Sequence, residues 1–158
     1  MAATPIATIL ADELAALREF VLLLQDEQVT LVAGNADHLT SLIDKKSALA
    51  ARLTDCAQRR EAALATAGFQ SGRSGMDAWL ATCPADAASR NNWRELLMLA
   101  SEARSQNELN GKLIGTRLQH NQQALAALMG ATERAMTYGP DGQTSVRPGG
   151  SGRILGSA

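Results

Sequence analysis

Apolar residues recur in the first part of the chain at alternating steps of four and three: Leu10, Leu14, Leu17, Val21, Leu24, Gln28, Leu31. This is the spacing of a helix with one buried seam, held over about three heptads. Thr4 and Pro5 suit the N-cap and first helical position, and Gly34 suits the left-handed residue that ends a helix. The pattern predicts a helix over Pro5–Ala33, a rod of roughly 44 Å. A rod of that length needs partner helices to cover it. A second seam reads Leu39, Leu42, Lys46, Leu49, Leu53, Cys56, Arg60 and Ala63. Asn35 or Asp37 is its cap, Gly68 closes it, and the stems of Lys46 and Arg60 pack while their charged heads reach water. The short link Gly34–Asn35–Ala36 predicts an antiparallel hairpin.

Phe69–Gly75 reads as a loop by composition. Met76–Ala81 fits a short amphipathic helix that places Trp79 and Leu80 on the hairpin, and Cys83-Pro84 is a break. A third long helix then starts around Ala85–Ala88. Its apparent seam is Trp93, Leu97, Ala100, Arg104, Asn107, Gly111, Ile114, Leu118, Asn121, Leu125 and Leu128. It runs to about Thr137, roughly 75 Å if unbroken. Such a helix outruns the hairpin, so part of it must bend back or project, with Gly111 and Gly115 as weak points. From Tyr138 onward Gly, Pro and Ser dominate, the composition of a flexible tail.

Composition supports this picture. Of 158 residues, 46% are hydrophobic but only 3% aromatic, so the core is built from Leu, Ala, Ile and Val. That vocabulary suits helices and argues against a sandwich or barrel. The net charge of −1 gives no global field for nucleic acid or an anionic membrane. It divides unevenly: residues 1–68 carry 6 Lys/Arg against 9 Asp/Glu, and residues 69–158 carry 9 against 7. Purely apolar runs such as Phe20–Leu24 are far too short to span a bilayer, and the uncharged start before Asp12-Glu13 is unlike a secretory signal. Cys56 and Cys83 form no CxxC and read as free, packed thiols in a reducing cytoplasm.

The chain offers little catalytic chemistry. It contains no GxxxxGK[ST] and no GxGxxG, and Gly111-Lys112 falls mid-helix without a phosphate loop. His38 and His120 belong to no HExxH or ExxH and read as surface residues, so no metal, no cofactor and no catalytic residue is expected. Arg59-Arg60, the adjacent arginine pair, lacks aromatic neighbours for base stacking and reads as a solvated helix face. One oddity stands out. The stretch Arg104–Gly111 places polar or minimal residues on the seam, and beyond it the chain is amphipathic again. Either these last apolar residues are core, or the polar gap uncouples an apolar stripe that awaits a partner helix.

The run Asn107-Glu-Leu-Asn-Gly-Lys-Leu-Ile114, then Asn121, Leu125 and Leu128, then Tyr138-Gly-Pro-Asp-Gly-Gln143, resembles the FlgN family of flagellar type III export chaperones. The segment Leu39-x-x-Leu-Ile-Asp-Lys-Lys-x-x-Leu49 fits as well. The resemblance implies a cytoplasmic, non-enzymatic chaperone. Its clients would be the hook–filament junction proteins, whose C-terminal amphipathic segments it holds and delivers to the export gate and export ATPase complex. It further implies a client-binding C-terminal helix at Leu113–Met136, with Leu113, Ile114, Leu118, Leu125, Leu128 and Met129 as contacts. Tyr138 would take the gate-docking role.

The expected fold is therefore all-α: an antiparallel helical bundle with a coiled-coil hairpin, a long third helix and a flexible C-terminal tail. Residues 1–137 form the bundle domain and 138–158 the tail. No nucleic-acid binding and no membrane insertion are expected, and a weak homodimer is left open. The competing reading is a coiled-coil adaptor or dimeric scaffold without an export client. A metal-dependent enzyme is a third class.

Overall fold

The computed structural model describes residues 6–82 and 86–137, which form four helices: α1 (Ile6–Ala33), α2 (Ala36–Thr66), α3 (Gly72–Thr82) and α4 (Ala87–Thr137). The expected Thr4-Pro5 cap, the Cys83-Pro84 break and the tail from Tyr138 lie outside the described residues. The chain forms two units, Met1–Gly115 and Thr116–Ala158.

In the first unit α1 and α2 form the antiparallel hairpin that the short link dictates. Glu27, Glu19 and Glu13 of α1 pair in turn with Lys46, Arg52 and Arg60 of α2, so the helices run in opposite senses. Gly34 takes a φ of 76° at the turn, and its N–H and that of Asn35 both donate to the Thr30 carbonyl. Asn35, not Asp37, is the cap: its side chain accepts from the His38 N–H at 3.1 Å. At the far end of α2 the Gly68 N–H donates to Ala65 O and the Phe69 N–H to Leu64 O. This double reversal puts Phe69 against the same core that buries Leu64, the usual companion of such a cap.

The α1 seam is buried as the spacing predicts, with Gln28 half-buried. A second row on α1 is buried beside it: Ile9, Glu13, Ala16, Leu23, Glu27 and Thr30. The face is wider than a two-helix seam because α1 is covered from two sides, by α2 and by the first part of α4. The main core joins α1 (Ile6 to Leu24) to Leu64 of α2, Met76 and Leu80 of α3, and Trp93, Leu96 and Ala103 of α4.

Two expectations need correction. The segment Phe69–Gly75 is only in part a loop, because α3 already starts at Gly72. The Gly72 N–H donates to Glu61 Oε2 at 2.8 Å, and at Gly75 the helix passes so close to the Gln70 carbonyl that a Cβ would stand 1.6 Å from its oxygen. The glycines that look like loop composition therefore permit a tightly turned helix start. The α4 seam is also displaced by one residue. The inward positions are Ser89, Trp93, Leu96, Ala103 and Asn110, with Leu99, Gln106 and Leu113 half-buried, whereas Arg104, Asn107 and Gly111 are exposed. Both sets keep the three-four rhythm. The inward one wins because it buries Leu96 and Ala103 and gives Gln106 and Asn110 hydrogen-bond partners, while the other would bury the Arg104 charge. α4 itself is continuous through Gly111 and Gly115, where an added Cβ would meet nothing within 4 Å. Asp86 caps it by accepting the Ser89 N–H at 2.9 Å.

Two outcomes follow. Asn110→Ala should cost about 1–3 kcal/mol, since it strips a donor from buried acceptors, whereas Asn107→Ala should change stability by roughly 0.5 kcal/mol or less. Urea unfolding of both variants distinguishes the two registers. Second, the Arg18 guanidinium beside Glu95, and the Ser89 hydroxyl and N–H beside Asp86, hold both carboxyls below the usual carboxylate range. Their contribution is complete above about pH 4.5 and is lost as the pH falls through their lowered values. Glu95→Gln should therefore lower stability at pH 7 and flatten the acid-side decline.

Candidate functional site

α4 carries the residues on which function was expected to rest, and its anchorage comes first. α4 runs parallel to α1. Arg18 binds Glu95 bidentately at 2.8 and 2.7 Å, and further along Gln106 donates to Gln28 at 2.7 Å. Between those partners on α1, the fully buried Asn110 amide donates to Leu24 O at 2.8 Å and to Glu27 Oε2 at 2.7 Å. Glu27, itself buried, receives Lys46 Nζ of α2 at 3.0 and 3.1 Å. One carboxylate thus joins three helices. Within the polar stretch Arg104–Gly111, the inward residues Gln106 and Asn110 are what bind α4 to α1.

A second polar knot lies nearer α3. Arg60 donates from Nε to the buried Glu13 at 2.8 Å, pairs with Glu61 at 2.7 Å, and lies over the Trp93 ring at 5.3 Å from its centroid. The Trp93 indole N–H donates to Asp77 at 3.0 Å. The expectation that the Arg60 head reaches water is thus corrected; it is buried because Glu13 neutralises it and Trp93 covers it. Among the described residues every buried side-chain nitrogen and oxygen has a hydrogen-bond partner. Sequence reasoning missed both knots. The signal was present in Glu13 and Glu27, charged residues that recur beside the α1 seam at helical spacing.

The expected contact residues divide between the units. Leu113 and Ile114 belong to the first, where Leu113 is half-buried and Ile114 is 44% exposed. Leu118, Leu125, Leu128 and Met129 belong to the second and are 58%, 59%, 65% and 59% exposed. The exposed large apolar residues repeat at steps of four, seven and three from Ile114 to Leu128, with Met129 next to Leu128. This unit thus presents a stripe of large apolar side chains to solvent at helical spacing, a form of surface that marks interaction sites. Tyr138 lies outside the described residues.

The remaining candidate chemistry is sparse. Burial pushes the Cys56 thiol up in pKa, and the Glu13 charge adds to the effect, so it is a poor nucleophile. His38 is partly exposed, with Nε2 3.2 Å from Asp26. Among the described residues no group of His, Cys, Asp and Glu has the arrangement of a metal site, and no helix is long and apolar enough to cross a membrane.

No curated protein and no solved structure matches the chain. The family model described as FlgN protein matches residues 1–145, nearly the whole sequence. The chain belongs to the FlgN family, whose members are chaperones of flagellar export.

Proposed function

We propose that this protein is a cytoplasmic, non-enzymatic export chaperone for the flagellar hook–filament junction proteins. It covers their C-terminal amphipathic helices, prevents premature assembly and delivers them to the export gate and export ATPase complex. The observation that carries this reading is the exposed apolar stripe on α4 in a chain of this family. A client helix that polymerises through its apolar face is an aggregation hazard before assembly, and a second helix face can cover it.

The proposed contacts are Leu113, Ile114, Leu118, Leu125, Leu128 and Met129. Each of the exposed ones returns roughly 1–2 kcal/mol when covered, less the cost of ordering both partners. Tyr138 is proposed to dock on the export gate. The client segment leaves by exchange at the gate, so no nucleotide site is required in this chain.

The purified protein should form a one-to-one complex with the C-terminal segment of a hook–filament junction protein. Replacing Ile114, Leu118 and Leu125 together with Asp should abolish the complex while the thermal melt of the helical fold is kept, because these side chains are exposed. Undiminished binding by the folded triple variant would remove the assigned surface. Sedimentation separates the scaffold reading, since a tight dimer dissolved by the same three substitutions would mean that the stripe serves a second copy of the chain.

A further inference from the structure

α4 changes character along its length. Up to Asn110 it is held by groups of α1: Glu95 by Arg18, Gln106 by Gln28, and Asn110 by the Leu24 carbonyl and Glu27. From Thr116 to Arg134 every residue but Gly130 is exposed. Thr132 and Arg134 donate to the Leu128 and Gly130 carbonyls, one turn back in the same helix. In water such a stretch is marginal, because most helical stability in proteins comes from packing an amphipathic face. Three glycines weaken it further, Gly111 and Gly115 at its root and Gly130 within it. The fold needs none of them. A Cβ at each would meet nothing within 4 Å, and none has the positive φ that Gly34, Gly68 and Gly72 take. What remains is the cost to the helix: each favours the unwound state about fivefold relative to alanine. Thr116, His120, Asn121 and Thr132 pull the same way, while Ala124, Ala126, Ala127 and Ala131 favour the helix.

We propose that Gly111, Gly115 and Gly130 poise residues 116–137 between helix and coil, so that the apolar stripe forms on an amphipathic partner helix and disperses when that helix leaves. The stripe is a property of the helical state. Leu118, Leu125 and Leu128 share a face only at helical spacing, and an unwound chain offers no common surface. Without a partner the chain therefore displays the stripe for part of the time only, which limits clustering of its own copies through exposed leucines. The cost of ordering the segment also lowers its affinity, so a bound helix is released more readily than from a rigid stripe. The partner is the client helix proposed above, and the coupling to it rests on that reading; the equilibrium itself does not.

The test is amide hydrogen exchange of the full chain, read by mass spectrometry over residues 96–110 and 116–134. In the free chain 116–134 should be protected less than about tenfold, and 96–110 more than about a thousandfold. Gly111→Ala, Gly115→Ala and Gly130→Ala together should raise protection of 116–134 by at least about tenfold. Affinity for the C-terminal segment of a hook–filament junction protein is then measured. The three alanines should tighten it by about twofold at most, and Ala124→Gly with Ala127→Gly, at exposed positions outside the stripe, should weaken it by about tenfold. Combining both sets should restore the parent affinity, which a mere loss of contacts would not do. The inference is overturned if the free chain protects 116–134 as strongly as 96–110, or if the three alanines add no protection. Equal affinity of the parent and the Ala124→Gly, Ala127→Gly variant overturns it as well. A junction segment that binds none of these chains removes the proposed client instead, and exchange alone then decides the equilibrium.

Discussion

A carboxylate removed from water must be neutralised and hydrogen-bonded, or the helix that carries it will not stay buried. Glu27 imposes this condition on the first unit. Its charge is met by Lys46 from α2 and its oxygen by Asn110 from α4, so satisfying one side chain of α1 aligns both neighbouring helices at once. Glu13 repeats the arrangement toward α3, through Arg60 and the Trp93 ring. Leucine contacts between helices tolerate sliding by a residue, since one alkyl surface is much like the next. Hydrogen bonds to named atoms do not, which explains how a core so short of aromatic side chains still specifies one register.

Much of the fold was legible in the sequence because it rests on local rules. The helical steps of Leu10 to Leu31, the reversal at Gly34 and a cap at Asn35 or Asp37 rest on residues close in sequence, and the structure has the first two and places the cap at Asn35. The misreadings came where distant partners decide. Arg104 and Asn107 keep the helical rhythm as well as Ala103 and Asn110 do, and the partners that help choose between them, the Leu24 carbonyl and Glu27, stand more than eighty residues away in sequence. Gly72 and Gly75 look like loop residues until the structure shows a φ of 80° at Gly72 and, at Gly75, a Gln70 carbonyl that leaves no room for a Cβ. The apolar stripe of α4 was visible as periodicity. Its exposure was one of two readings that the pattern left open, because buried and exposed leucines repeat at the same steps.

The two parts of α4 consequently differ in what their side chains meet. Up to Leu113 its inward positions are committed to α1 through bonds that name their partners. Beyond them, Leu118, Leu125, Leu128 and Met129 form a surface with no such commitments. On the proposed function this division is useful. Apolar contacts made by exposed leucines and a methionine adapt to more than one amphipathic helix, whereas the polar junction keeps the supporting bundle the same whichever client is bound.

The scarcity of aromatic residues also determines how the molecule can be observed. Both tryptophans, Trp79 and Trp93, stand on α3 and the beginning of α4. Tryptophan emission therefore reports on α3 and the start of α4, and residues 116–137 carry no tryptophan or tyrosine of their own. A signal of its own for that stretch has to come from Tyr138, which follows it directly, or from an emitting ring that the incoming chain brings.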